Sequence, residues 1–549
     1  MRRFFAIVMT LAILLAMTGC VQDPGTTPTD PTVPSSPTEP APTTPREEYV
    51  VTDVGTASTV VTGSSNVFYH IFVGSFSDSN GDGIGDLQGI INRMDYINDG
   101  DPNSGKSLGV EGIWLSPIFV SPSYHKYDTN DYYTIDPKFG TMKDLQQLID
   151  LCHERGVKII LDLVINHTSP RHEWFRKFVE AHQAGDPSDP YYNYYTWYDS
   201  QAAGVTTYPI SGTKQFYEGN FSSDMPELNF DNIRVRQEIL DVSAFYLDMG
   251  VDGFRFDAAK YIYYGNEPEN VKFWNWYMEQ LRLLKPDIYT VAEVWDGDGA
   301  TIPYFSATNC FNFSMSQVSG RIASAAKGGN VNTFTGYVKT YIDSIKMQNP
   351  NASMVTFIAN HDTDRAAGYL TTATGHAYVA ANLSILLPGS TFIYYGEEIG
   401  MLGSRGGANT DANRRLAMLW GDGDRIRNPE GSTYKAEQIN GTVADQLPDG
   451  DSLYNHYKKL IMIRKANPEI AYGEFEPIRT GNKVGGFLST YEGSSVAVFH
   501  NTTTEAVALD LAALTDVSLE TLAAVVGLGG ATLEGTTLTI EGQTSVVLR

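Results

Sequence analysis

From Val67 onward the chain repeats one pattern, a short apolar run followed by a longer helix-like stretch. A parallel neighbour strand is reached only by crossing back over the sheet, so this alternation predicts parallel strands joined by crossover helices. The runs read as strands are 67–76, 112–118, 158–165, 252–257, 288–294, 311–315, 354–359 and 391–395. Eight of them predict an α/β fold of the closed (β/α)8 TIM barrel type.

Spacing divides that barrel. Asp162 and Asp257 are 95 residues apart, far more than the roughly 35 to 40 of one strand-plus-helix unit. A subdomain inserted after strand three is therefore expected over 169–232, with the barrel occupying 51–168 and 233–471. The insertion contains Tyr191-Tyr192-Asn193-Tyr194-Tyr195-Thr196-Trp197-Tyr198. Such rings either offer faces to a sugar or pack a small core of their own. Past Ala471 the apolar runs shorten and alternate, as in Ser495-Val496-Ala497-Val498-Phe499, with glycine turns between. An antiparallel β-sandwich is expected over 472–549.

The first 50 residues read as an address and a tether. Arg2 and Arg3 precede an apolar run at 4–17, which Thr18-Gly19-Cys20 closes with small residues. The run is short for a bilayer span and fits a cleaved export signal over 1–19. The block Leu15-Ala16-Met17-Thr18-Gly19-Cys20 resembles a bacterial lipoprotein signal, which would make Cys20 the acylated N-terminus; an ordinary signal with an incidental cysteine is the other reading. Over 20–50, prolines recur amid Thr and Ser, five of them three residues apart, a rhythm that favours an extended polyproline stalk. The expected location is outside the cytoplasm, on a membrane through the lipid. A net charge of −25 argues against a nucleic-acid partner, and no protein partner is evident. Three cysteines are too few for a disulfide scaffold, and Cys152 and Cys310 are expected as buried thiols.

Catalytic groups of such barrels lie where strands end, and here the ends are acidic. Strand four ends Gly253-Phe254-Arg255-Phe256-Asp257, and a period of two puts Arg255 and Asp257 on one face with both phenylalanines on the other. Strand five ends Ala292-Glu293-Val294-Trp295, strand seven Ala359-Asn360-His361-Asp362, and strand three adds Asp162, Asn166 and His167. Burying this much like charge is costly unless the groups are paired or reactive. An ion-pair network would serve Arg255 with Asp257 or Asp162, but leaves Glu293 and Asp362 only His361 and His167 as basic partners. Two carboxylates flanking an acetal are what glycoside hydrolysis uses.

After strand one comes Asp78-Ser79-Asn80-Gly81-Asp82-Gly83-Ile84-Gly85-Asp86. Oxygen donors at Asp78, Asn80, Asp82, Ile84 and Asp86 suit calcium, although Gly89 stands where an EF-hand would have its glutamate. The alternative is a plain Asp/Gly turn.

The blocks Asp162-Leu163-Val164-Ile165-Asn166-His167, Gly253-Phe254-Arg255-Phe256-Asp257, Glu293-Val294-Trp295 and Asn360-His361-Asp362 resemble, in order, the signature segments of the α-amylase family of glycoside hydrolases. Met225-Pro226-Glu227-Leu228-Asn229, Tyr127-Asp128 and Tyr394-Tyr395-Gly396-Glu397-Glu398 resemble further family segments. The resemblance implies Asp257 as nucleophile, Glu293 as acid/base and Asp362 as holder of the sugar's ring hydroxyls. It also implies that Arg255 orients Asp257, Asp162 supports Arg255, and His167, His361, Tyr127, Asp128 and Lys260 meet the substrate. It makes the loop at 78–86 and Asn166 candidate calcium ligands. Ala258 resembles the branches that cut α-1,4 bonds, Tyr261 departs from the amylases' usual His, and Met225 with Glu227 leans towards broad maltodextrin specificity. The expected activity is retaining hydrolysis of α-1,4-glucosidic bonds in starch and maltodextrins. The alternatives are a maltodextrin, cyclodextrin or pullulan hydrolase or glucanotransferase, and a non-catalytic glucan-binding surface lipoprotein.

Overall fold

The structure, a computed structural model, describes residues 66–549. The expected signal and linker, Cys20 included, lie outside the described residues. Eight parallel strands form the barrel: β1 Val67–Ile71, β2 Gly112–Leu115, β3 Lys158–Leu163, β4 Gly253–Phe256, β5 Tyr289–Ala292, β6 Asn309–Cys310, β7 Val355–Phe357 and β8 Ser390–Tyr394. Their order is β6-β5-β4-β3-β2-β1-β8-β7, and a bridge between Phe311 and Val355 nearly closes the ring.

Period-two alternation builds two apolar layers. Phe68, Trp114, Ile160, Tyr289, Phe311 and Phe392 fill the interior, whereas Tyr69, Ile113, Ile159 and Leu161 pack outward with the helices. Phe68 and Phe392 stack with centroids 4.7 Å apart. Gly112 is required beside them, because a Cβ there would sit 2.3 Å from the Phe68 ring. The crossover helix Met142–Glu154 shows the complementary period: a Thr141/Asp144 capping box starts it, and Leu145, Leu148, Ile149 and Cys152 form its buried stripe.

All eight expected strands exist, but most are shorter than the apolar runs. Strand six is displaced, occupying 309–310 rather than 311–315. Past Phe311 the amides of Met315 and Ser316 turn back to the carbonyls of Asn312 and Phe313, so the chain has left the sheet.

Between β3 and β4, the segment at 169–232 carries the helix Glu173–Ala184 and a three-stranded antiparallel sheet of Trp197–Tyr198, Phe216–Glu218 and Thr207–Pro209. Its rings pack on one another: Phe175 meets Tyr195 and Tyr217 edge-on, each at 5.0 Å, and His182 stacks on Tyr192 at 3.9 Å. After the helix Pro468–Tyr472, a five-stranded and a three-stranded antiparallel sheet share a core that includes Phe499, Leu538, Ile540 and Val546. Cys152 and Cys310 are buried free thiols. No helix among the described residues is long and apolar enough to cross a membrane.

Two carboxyls, Glu397 and Glu398, are buried just beyond β8. Glu398 accepts hydrogen bonds from the hydroxyls of Tyr69 and Tyr96, and Glu397 from that of Tyr457. Burial, reinforced by its neighbour Glu398, pushes the Glu397 carboxyl up to about 8. Because the folded form binds this proton more tightly than the unfolded chain, Glu397 contributes most stability below its unfolded value. That contribution is lost as pH rises towards 8. Glu397→Gln is therefore expected to flatten the fall in melting temperature between about pH 5 and 8; an unchanged slope in calorimetric scans would refute this.

Candidate active site

The site begins with the alternation of β4. Phe256 turns outward onto Trp274 and Tyr277 of the helix Glu267–Leu284 at 4.8 and 5.6 Å, which leaves Arg255 pointing inward. The Arg255 side chain is only 1% exposed, yet it reaches three carboxylates. Its Nη1 lies 2.8 Å from Asp162 and 2.6 Å from Asp257, and its Nη2 lies 3.0 Å from Glu293. Asp162 also accepts from Tyr127 Oη at 2.9 Å and Trp114 Nε1 at 3.3 Å, and Glu293 from the Ala258 amide at 3.1 Å.

Burial raises both outer members of this group against the pull of Arg255. Asp162 is pushed up to about 7 and Glu293 up to about 8, with the charges of Asp257 and Asp362 adding to burial at Glu293. Glu293 is thus a carboxylic acid at neutral pH, able to give a proton.

Asp362 is set the other way. Burial would raise it, but His361 Nε2 at 2.9 Å and Arg415 Nη2 at 2.7 Å outweigh burial and hold it well below the usual carboxylate range. Burial also lowers His361 and His167, keeping both imidazoles neutral near pH 7. Tyr127 stacks on His361 at 5.3 Å and 7°. Above these groups opens a cleft of about 880 Å3 lined by Tyr127, His167, Asp257, Glu293 and Asp362. Two carboxyl groups, one of them held protonated by burial, thus share a guanidinium at the floor of a sugar-sized cleft, the pairing that acetal hydrolysis needs.

Comparison with known proteins fits this chemistry. Residues 70–473 match the model of the alpha-amylase catalytic domain. The chain belongs to that family. It is 36% identical over 446 residues to Alpha-amylase 3 of Dictyoglomus thermophilum, covering 79% of this chain and 84% of that one. A 4-alpha-glucanotransferase of Thermotoga maritima is 30% identical over 464 residues, covering 80% and 97%. Among solved structures, Eubacterium rectale Amy13B superposes with a TM-score of 0.82 at 33% identity, over 89% of this chain and 96% of that one. The protein is an alpha-amylase family glycoside hydrolase or transferase.

Within this amylase-family site, Arg255, Asp162 and His361 lie beneath the cleft and hold its lining in place. Lys260 reaches the rim, its Nζ tied to the Trp295 carbonyl at 2.8 Å and to Asp296 at 3.1 Å. Asp128 is not brought into the lining: it is 5% exposed and accepts from the hydroxyls of Ser121 and Ser123. The expected lack of basic partners is also corrected, since Glu293 has Arg255 and Asp362 has Arg415. Sequence reasoning missed Arg415 altogether, together with Tyr124, whose hydroxyl accepts from Arg415 at 3.1 Å. Both sit on irregular segments rather than at strand ends, and the only signal was the doublet Arg414-Arg415 in an acidic chain.

The loop at 78–86 offers only oxygen donors, the chemistry a hard cation wants. In this conformation those oxygens serve the loop itself. Asp78 accepts from the amides of Asn80, Gly81 and Gly83, Asn80 from that of Asp82, and Asp82 from that of Ile84. Asp86 caps the helix Leu87–Asn92 through the Gly89 amide and accepts from Ser79. Among the described residues no three His, Cys, Asp or Glu side chains converge as a metal cluster. Asn166 lies beside His167, and its side chain bonds Glu227.

Proposed function

We propose that the enzyme hydrolyses α-1,4-glucosidic bonds of starch and maltodextrins by double displacement. The observation that carries this reading is the Arg255 guanidinium joining Asp257 and Glu293, which keeps the two carboxyls close, as a retaining glycosidase requires. Asp257 attacks the anomeric carbon while protonated Glu293 gives its proton to the departing glycosidic oxygen. The Asp257–sugar ester no longer carries a negative charge, so Glu293 now tolerates ionisation. It takes a proton from water, whose oxygen displaces Asp257, and both carboxyls return to their starting states. Asp362, ionised by Arg415 and His361, accepts hydrogen bonds from hydroxyls of the reacting ring. Its negative charge also suits the cationic character of the transition state.

A second reading, transfer of the glycosyl group to another sugar, is favoured by the aromatic rim. Trp295 is 41% exposed and stacks on Phe313 at 5.0 Å, while Phe221 meets Tyr261 at 4.5 Å across the mouth. Products from starch, cyclodextrin, pullulan and maltotriose over time distinguish these readings, because transfer makes chains longer than the substrate.

Two inversions give net retention, so proton NMR of early maltooligosaccharide hydrolysis is expected to show α-anomer before mutarotation. Asp257→Asn is expected to abolish turnover. Glu293→Gln should lose about 10² to 10⁴ on starch but keep glycosylation by substrates whose leaving group needs no proton. Early β-anomer would overturn the mechanism.

Calcium at the loop at 78–86 remains part of the proposal on the strength of its oxygen donors. Calcium is expected to raise the melting temperature, and Asp78→Ala with Asp82→Ala to remove that increment; melting indifferent to both calcium and chelator would leave the loop a turn. The order Arg2-Arg3, apolar run, Thr18-Gly19-Cys20 supports export and lipid anchoring. Mass spectrometry of the native protein is expected to find acylated Cys20, and an unmodified N-terminus elsewhere would exclude it.

A further inference from the structure

Directly after Asp257 the chain leaves β4 through a residue with left-handed backbone, Ala258 at φ 49° and ψ 39°. Among the described residues only six non-glycine residues have positive φ, and the other five carry polar side chains: Lys126, Gln317, Asn409, Glu492 and Gln543. Alanine has no polar group with which to stabilise that conformation locally, so its surroundings must impose it. They do so through the backbone. The Ala258 carbonyl accepts from the Tyr261 amide at 2.9 Å, the Ala259 carbonyl from Trp274 Nε1 at 2.8 Å, and the Lys260 carbonyl from Asn270 Nδ2 at 2.9 Å. Trp274 is fully buried and Asn270 is 1% exposed, so the short turn Ala259–Tyr261 is clamped by the helix Glu267–Leu284.

The effect of this turn falls on Glu293. Left-handed backbone at Ala258 directs two successive amides to that one residue. The Ala258 N–H donates to Glu293 Oε2 at 3.1 Å, and the Ala259 N–H donates to the Glu293 carbonyl at 3.0 Å. The same Oε2 lies 3.0 Å from Arg255 Nη2. An oxygen that accepts from two N–H groups is not the one that carries the proton, so the proton of the acid sits on Oε1. Ala258 itself lines the catalytic cleft and is 5% exposed.

The geometry points to Ala258 as a positioning residue: its left-handed turn aims the amide that fixes Oε2 of Glu293, and so presents the protonated Oε1 to the departing glycosidic oxygen. The inference rests on the role assigned above to Glu293. It belongs to the backbone, and the side chain matters only through the φ it permits. The charged and titratable groups facing Glu293 are Arg255 and Asp257 from β4, Asp362 beyond β7, and Tyr261 of the turn. Against them, the amide is the one influence that a changed φ at residue 258 removes directly. A donor to the ionised carboxylate favours ionisation, so its loss raises Glu293 further and carries activity to higher pH.

The test uses the full-length enzyme with Ala258→Asn, Ala258→Thr and the ester variant Ala258→lactic acid. Asn and Thr are similar in size, but Asn tolerates left-handed backbone and the β-branched Thr resists it. The ester replaces the N–H by an oxygen. Thr and the ester are expected to move the basic limb of kcat/KM on maltopentaose up by about 0.5 to 1 pH unit, and to lower kcat about tenfold with KM within about twofold. Maltotriosyl fluoride, whose leaving group needs no proton, should be cleaved within about threefold of the native rate. Asn should keep the native limb. Equal behaviour of Asn and Thr would reduce residue 258 to its bulk, and a native limb in the ester enzyme would overturn the proposal whether or not the Thr variant folds. Should the native enzyme cleave neither substrate, the functional reading fails. Carbon NMR of 13C-labelled glutamate, with Glu293→Gln to identify the resonance, then reads the Glu293 titration without turnover and decides the positioning role by the same shift between native and ester enzymes.

Discussion

Three carboxylates meet at the mouth of this barrel because one guanidinium stands among them. Arg255, almost fully enclosed by β3, β4 and β5, is the common partner of Asp162, Asp257 and Glu293. Each bond it makes is charge-assisted, and its planar fork serves several acceptors at once, which a lysine could not do. Without it the three acids would share a poorly hydrated space. Removing one partner of a buried ion pair typically costs about 3–5 kcal/mol, and here the loss would strand more than one charge. The surroundings then differentiate the acids. Asp162 lies deepest and takes extra hydrogen bonds from Tyr127 and Trp114, while Glu293 faces the cleft and keeps its proton.

Asp362 depends on a different support. Its arginine arrives on the long irregular segment that follows β8, and that segment also carries Arg405, Asp411 and Arg414, cross-linked to one another and to Asp364. A segment with so little regular structure keeps its shape only through such bonds. Its root is fastened by the buried pair Glu397 and Glu398 and the tyrosine hydroxyls around them. The catalytic geometry therefore has a rigid half, fixed by strand pairing, and a half held by side-chain bonds between loops.

This division explains what could be read from the chain. Arg255, Asp257, Glu293 and Asp362 were legible because strands impose a period of two and barrel units recur at near-constant spacing. Residues delivered by that geometry announce themselves by position. Arg415 and Tyr124 escaped because nothing periodic places them, and Asp128 was assigned to the substrate although two serine hydroxyls hold it out of the cleft. Strand six was misplaced for a related reason. Beyond Phe311, which still bridges Val355, Phe313 and Met315 are buried as strand residues would be, but they lie in a turn. The aromatic run at 191–198 had two readings, and its rings Tyr192, Tyr194 and Tyr195 are buried among neighbouring aromatics.

The same division bears on specificity. Under the proposed mechanism the covalent intermediate on Asp257 is common ground for hydrolysis and for transfer, and the outcome depends on whether water or a sugar hydroxyl reaches it first. The carboxylates do not decide that contest, because Glu293 serves as base for either nucleophile. On that reading the contest would fall to the rim, where the rings of Trp295, Phe221 and Tyr261 line the cleft and could hold a sugar after the first bond has broken. Relatives sharing this barrel bear both amylase and glucanotransferase names, as expected if the buried charges fix the reaction class and the exposed loops select the acceptor.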